Sequence, residues 1–176
     1  MPYTPQQLSD IEDIKVLKHR YFRAVDTADW ALIEDAFAED IHIEYIGASY
    51  EVKLDGRAAF LEFLANGFHS GAVAMHHGHH PEFTCVDDET IEGIWYLEDI
   101  FINLEEKWHC YGTAIYRDTY KRTAGRWQLA HSTYERVIEV VEPLHEGAQY
   151  LAYRLGKTGR KPEERTDNSK YITWFR

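Results

Sequence analysis

A chain of 176 residues is long enough for one domain with a buried core. With 44% hydrophobic and 28% charged residues it has the ordinary globular mixture, which excludes a disordered or fibrous chain. A net charge of -11 leaves no basic footprint for nucleic acid, and no apolar run approaches membrane-span length.

The N-terminus, Met1-Pro2-Tyr3-Thr4-Pro5, lacks the charged and apolar regions of a signal peptide. The only two cysteines, Cys85 and Cys110, read as buried free thiols of a reducing compartment rather than a pair on neighbouring strands. The expected location is the cytoplasm. Aromatic residues reach 14%, which suits either a large apolar pocket or an aromatic sheet core.

Residues 5–27 are predicted to be a helix, because Leu8, Ile11, Ile14, Leu17, Tyr21 and Val25 recur at three- and four-residue steps. Thr4 is its expected N-cap, with Pro5 at the first helical position and Gln7 completing a capping box. Asp26-Thr27-Ala28-Asp29 reads as a break, and Trp30–Ala38 as a second, short helix. Ile41, Ile43 and Tyr45 alternate with His42 and Glu44, the pattern of a short strand. A third helix is predicted over about 57–66, carrying Phe60, Leu61 and Leu64.

From about residue 72 the period becomes two. Strands are predicted over roughly 73–86, 90–103, 108–122 and 126–141, separated at hairpin spacing. Helices first and long strands afterwards argue an α+β fold with helices on one face of an antiparallel sheet. Beyond 141, Leu144, Tyr150, Leu151 and Leu155 suggest a short helix, and Gly156–Ser169 a polar loop or arm.

The run Met75-His76-His77-Gly78-His79-His80-Pro81-Glu82 holds four of the ten histidines. Histidine changes charge near physiological pH, so the run suggests proton transfer or metal binding. Strand alternation puts His76, Gly78 and His80 on one face and His77 and His79 on the other, so the four do not converge. His77-Gly78-His79 followed by Glu82 has some likeness to cupin metal sites. Yet Glu82 follows too closely, and a cupin would be nearly all-β. No metal and no cofactor are expected; His77, His79 and His80 read as polar residues of a half-exposed strand.

Several ordered motifs carry a resemblance. Leu17-Lys18-His19-Arg20-Tyr21-Phe22-Arg23-Ala24-Val25-Asp26 and the histidine run are followed by Gly93-Ile94-Trp95-Tyr96-Leu97-Glu98-Asp99 and Tyr134-Glu135-Arg136. Together they resemble the SnoaL-like branch of the NTF2-like superfamily, which includes scytalone dehydratase and hexachlorocyclohexane dehydrochlorinase. The likeness is greatest to the bile acid 7α-dehydratases.

The resemblance implies a cone in which a curved antiparallel sheet wraps three N-terminal helices around a deep pocket. It implies a catalytic domain over 1–141, with 142–176 as an extension covering the pocket or meeting another subunit. It also implies a homo-oligomer, by preference a trimer. Asp26 and His76 match the family's acid–base dyad, Tyr21 a catalytic tyrosine, and Arg136 and Tyr45 pocket residues. Tyr111 stands where scytalone dehydratase has a second histidine and is expected to contact substrate. His131 or a neighbour falls near the dehydrochlorinase's basic residue.

The implied activity is a cofactor-independent lyase acting on a small apolar, steroid-like substrate: dehydration of a 7α-hydroxy bile-acid intermediate with a conjugated 3-keto group. A carbonyl conjugated with the site acidifies the C–H, and the protein must then stabilise an oxyanion. His76 would be the base, Asp26 would fix its tautomer, and Tyr21 would donate to the enolate oxygen. Two other readings stand beside it: a polyketide cyclase, isomerase or dehalogenase-like lyase, and a non-catalytic ligand-binding domain. Tyr21 and Asp26, five positions apart, do not share a helical stripe, so spacing alone does not bring them together.

Overall fold

The first helix, α1 (Pro5–Thr27), begins as its sequence predicts. The Thr4 hydroxyl accepts from the Gln7 backbone N–H at 3.2 Å, and the Gln7 side chain accepts from the Thr4 N–H at 2.8 Å. Its buried stripe holds Ile11, Ile14, Leu17, Lys18, Tyr21, Phe22 and Val25. It stops where Ala28 turns left-handed at φ 50° and its N–H reaches back to the Ala24 carbonyl. These features come from a computed structural model that describes residues 3–175.

The predicted helix over Trp30–Ala38 is a single 3-10 turn, Trp30–Leu32. The chain straightens at Phe37 because that segment is taken into the sheet. Leu129 donates its N–H to the Ala36 carbonyl at 2.8 Å, and Phe37 pairs with Leu129. Tertiary pairing here overrides the local helical pattern. The expected trio of N-terminal helices is therefore two, α1 and α2 (Arg57–Gly67).

The strands are β1 (Phe37–Ile46), β2 (Tyr50–Asp55), β3 (Ala72–Cys85), β4 (Thr90–Asn103), β5 (Trp108–Thr123), β6 (Arg126–Pro143) and β7 (Ile172–Trp174). They form one curved, mixed seven-stranded sheet in the order β3-β4-β5-β6-β1-β2-β7. The sheet is not wholly antiparallel, as β1 lies parallel to β6. The long meander β3 to β6 ends beside the strand that entered the fold first, and the two run the same way.

The C-terminal stretch is more ordered than a polar arm. Its one α-helical turn, α3 (Leu155–Thr158), buries Leu155 against Ala28 and Ala72. Arg160 makes two 2.6 Å hydrogen bonds to Glu62 of α2, and this pairing holds the Glu62 carboxyl down at about 2. The chain then adds β7 to the free edge of β2. Cys85 is half-buried and Cys110 buried; both are free thiols. Among the described residues no helix is long and apolar enough to cross a membrane.

Candidate active site

Between the concave face of the sheet and the two long helices lies a cavity of about 810 Å³. Its walls are largely aromatic: Tyr21 from α1, Phe68 after α2, Phe101 from β4, Tyr116 from β5 and Tyr134 from β6 are among them. The aromatic richness of the sequence thus serves both core and pocket.

His76 lines this cavity from β3. Its Nδ1 lies 2.6 Å from Asp26 Oδ1, and its backbone N–H donates to Asp26 Oδ2 at 3.0 Å. One carboxylate therefore holds both the ring and the main chain of the same residue. An ionised carboxylate only accepts, so the proton belongs on Nδ1 and Nε2 is left as the basic nitrogen. The ring is clamped from the sides. Phe22 stacks on it at 6.1 Å between centroids with planes 7° apart, and Phe68 meets it edge-on at 5.4 Å. This contact answers the stripe problem: α1 crosses β3, so the last turn of the helix reaches the strand although Tyr21 and Asp26 point differently.

Gly78 makes this approach possible. A Cβ there would stand 2.3 Å from Phe22 Cε2, inside the ring that stacks on His76. Gly78→Ala is expected to lower stability by about 1–3 kcal/mol, the usual range for overpacking, and to lower activity as Phe22 shifts. Urea titration beside a turnover assay would check it; unchanged values in both would mean that Phe22 moves freely.

Tyr21 is buried, and its hydroxyl lies 3.2 Å from that of Tyr45. Burial pushes the Tyr21 hydroxyl up to about 12, and burial likewise raises Tyr45 and Tyr116 well above an ordinary tyrosine. All three stay neutral at physiological pH and can donate hydrogen bonds. Beneath them lies a charge that sequence reasoning passed over. Lys18 is fully buried, bonded at 2.8 Å to Asp118, with Nζ 3.6 Å from the centre of the Tyr116 ring. Its signal was available: Lys18 falls on the apolar stripe between Ile14 and Tyr21, where a charge needs a buried partner.

Arg136 lines another part of the cavity, gripped through both terminal nitrogens by Asp99. Burial opposes its charge, but the Asp99 hydrogen bonds hold its pKa above the usual value. Its Nε is buried without a hydrogen-bond partner. A register shift between Thr113 and Ala114 sets Ala114 opposite Arg136 and Thr113 opposite Ile138. This bulge changes the facing of β6, so Arg136 lines the cavity before it and Val141 after it.

Tyr111 does not join the set. It is 42% exposed and stacks on His109, while its neighbour Cys110 faces the cavity. Alternation along β5 sends the two to opposite faces, which corrects the expected substrate contact. His131, also exposed, meets His42 outside the cavity. Sequence reasoning missed Tyr50 and Tyr134, whose hydroxyls are hydrogen-bonded, and Ile172 and Trp174, which the C-terminal stretch contributes to the cavity wall. Tyr134 and Asp99 did lie within quoted motifs.

The fold and site define a pocket protein of α+β class with an imidazole–carboxylate pair in an aromatic wall. A family model described as a SnoaL-like domain matches residues 6–133, and the chain belongs to this SnoaL-like, NTF2-like family. Among solved structures, it is similar to a scytalone dehydratase-like protein of Novosphingobium aromaticivorans: TM-score 0.70, 18% identity, covering 86% of this chain and 99% of that one. It is also similar to the hexachlorocyclohexane dehydrochlorinase of Novosphingobium barchaimii, with TM-score 0.68, 18% identity and coverage of 83% and 97%. A third is ActVI-ORFA of Streptomyces coelicolor, with TM-score 0.57, 17% identity and coverage of 72% and 96%. At such identities the likeness is one of fold.

Proposed function

We propose that the protein is a cofactor-independent carbon–oxygen lyase that dehydrates a 7α-hydroxy steroid or bile-acid intermediate bearing a conjugated 3-keto group. The observation that carries the reading is the Asp26–His76 pair at the wall of an aromatic cavity. Nε2 of His76 takes the acidified proton, and Asp26 stabilises the imidazolium that forms. Tyr21, kept neutral by burial, donates to the enolate oxygen. The proton on His76 then passes to the departing hydroxyl, so water leaves and the enzyme returns to its starting state. The motifs that resemble those of bile acid 7α-dehydratases support the substrate; the pair itself serves equally for eliminating another leaving group from an apolar ring.

Incubation with a 3-keto-4-ene 7α-hydroxy bile acid, free and as its coenzyme A thioester, tests the reading. The extended dienone is expected to appear by ultraviolet absorbance, and its absence in both arms would remove the substrate. Tyr21→Phe is expected to lower kcat by about 10²–10³-fold, the loss typical of one oxyanion donor. A fall in KM affinity alone, with kcat intact, would make Tyr21 a wall residue instead.

In the same reading, residues 1–141 form the catalytic domain and 142–176 an extension that closes the cavity through Ile172 and Trp174. The protein works as a trimer. Exposed Tyr111, Val137 and Ile138 on β5 and β6 supply apolar surface for that assembly. Light scattering is expected to give three times the 20.6 kDa chain mass, and a monomer would refute it.

A further inference from the structure

The histidine run is only partly used by the dyad. His76 faces the cavity, which leaves His77, His79 and His80 without a role. His77 and His79, two residues apart on β3, share the outer face of the sheet. In the antiparallel register His77 lies directly opposite Glu98 of β4, and His79 opposite Tyr96. The Glu98 carboxylate reaches His79, with Oε2 3.5 Å from Nε2. The two imidazole centroids are 5.9 Å apart. One ligand atom from each of the three side chains lies within 4.8 Å of those of the other two.

We propose that His77, His79 and Glu98 form a binding site for one divalent transition-metal ion on the outer face of the sheet, separate from the cavity. Sequence spacing alone points to Glu82 as the nearest acidic partner. The register supplies Glu98 instead, from the neighbouring strand. Two imidazoles and one carboxylate are ligands suited to Zn²⁺ and its neighbours in the first transition row, and poorly suited to the all-oxygen preference of Mg²⁺ or Ca²⁺. Zinc–ligand bonds of about 2.0–2.2 Å put two ligand atoms at most about twice that apart. The observed spread of 4.8 Å closes with small rotations of these exposed and half-buried side chains. Three protein ligands leave further positions for water or another donor.

The site joins an edge strand to its neighbour β4, since β3 ends the strand order among the described residues. The ion would therefore staple the strand that carries His76, from the side opposite the reacting face. His80 is excluded from the triad by backbone. It sits at φ 46° where the register slips between His79 and Glu82, and this bulge takes it out of the alternation.

Tag-free protein is titrated with Zn²⁺ by calorimetry and with Co²⁺ by visible absorption, and melted with and without Zn²⁺. The expected result is one ion per chain and a higher Tm. His77→Ala, His79→Ala and Glu98→Gln are each expected to weaken binding by at least about tenfold, the lower end of what even an outer partner of a ligand is worth. His80→Ala is expected to leave the affinity unchanged, and circular dichroism shows whether each variant is folded. Absence of stoichiometric binding would overturn the proposal. So would equal losses on His80→Ala and His77→Ala, which would mean that the run binds metal loosely as any histidine string does. Retained affinity in folded Glu98→Gln would remove the carboxylate, and with it the site described.

Discussion

Replacing His76 by Gln or Ala is expected to lower kcat by about 10²–10⁴-fold, the usual loss on removing a general base. Gln is the sharper variant. It keeps a side chain between Phe22 and Phe68, whereas Ala opens a gap between rings centred 6.1 and 5.4 Å from the imidazole. KM should change less than kcat, because a base acts in the transition state and contributes little to holding an apolar ring system. Asp26→Asn is expected to be damaging through a different route. The carboxylate accepts from both the ring and the backbone N–H of His76. An amide keeps one acceptor but turns a donor towards the other position, and the imidazole loses its anionic partner. The readout is turnover on any substrate the protein accepts, with circular dichroism to show that the variants fold. Full activity in folded His76→Gln would end the assignment of the dyad, whatever the substrate.

Much of the fold could be read from periodicity, because the buried faces are regular. The apolar stripe of α1 and the alternation of β3 to β6 each report one face turned to a core. What periodicity lacks is information about neighbours. The parallel pairing of β1 with β6 joins strands about ninety positions apart, and the helical look of Trp30–Ala38 yields to that pairing. The three-residue β7 exists only because β2 leaves an open edge. Tyr111 shows a second limit. Both faces of β5 carry aromatic residues, with Trp108 and Tyr116 at the cavity and His109 and Tyr111 outside. Alternation then tells which residues travel together but not which set is inside. Asp26 and His76 show a third. Fifty residues separate them, and nothing in their spacing makes α1 cross β3; there the motif resemblance, rather than the period, carried the expectation.

Asp118→Ala is expected to destabilise the fold by about 3–5 kcal/mol, the range for removing one partner of a buried ion pair. Asp118 is at the centre of a closed polar cluster. Its Oδ2 accepts from Lys18 at 2.8 Å and from the Tyr120 hydroxyl at 2.6 Å, and its Oδ1 accepts from Ser132 at 2.7 Å. Tyr120 in turn accepts from the Trp95 indole at 3.2 Å. Lys18 and Asp118 have side chains with no exposure at all, so water cannot replace a lost partner. Burial draws the Lys18 pKa down while Asp118 draws it back up, so the carboxylate is what allows an ammonium to persist there. Removing it leaves a buried amine with nothing to hold its proton, and leaves the Tyr120 and Ser132 hydroxyls short of an acceptor. The double variant Lys18→Met, Asp118→Asn removes both charges together and keeps one acceptor oxygen for the two hydroxyls. It should recover a large part of the loss, because apolar or neutral replacements of whole buried pairs are often nearly neutral. Urea unfolding of Lys18→Met alone, Asp118→Asn alone and the double variant gives the coupling directly. If the singles and the double simply add, the pair is not a unit. If they couple, the charge lying 5.2 Å from the Tyr21 ring is there by virtue of Asp118, and the floor of the cavity owes its packing to a carboxylate that never touches it.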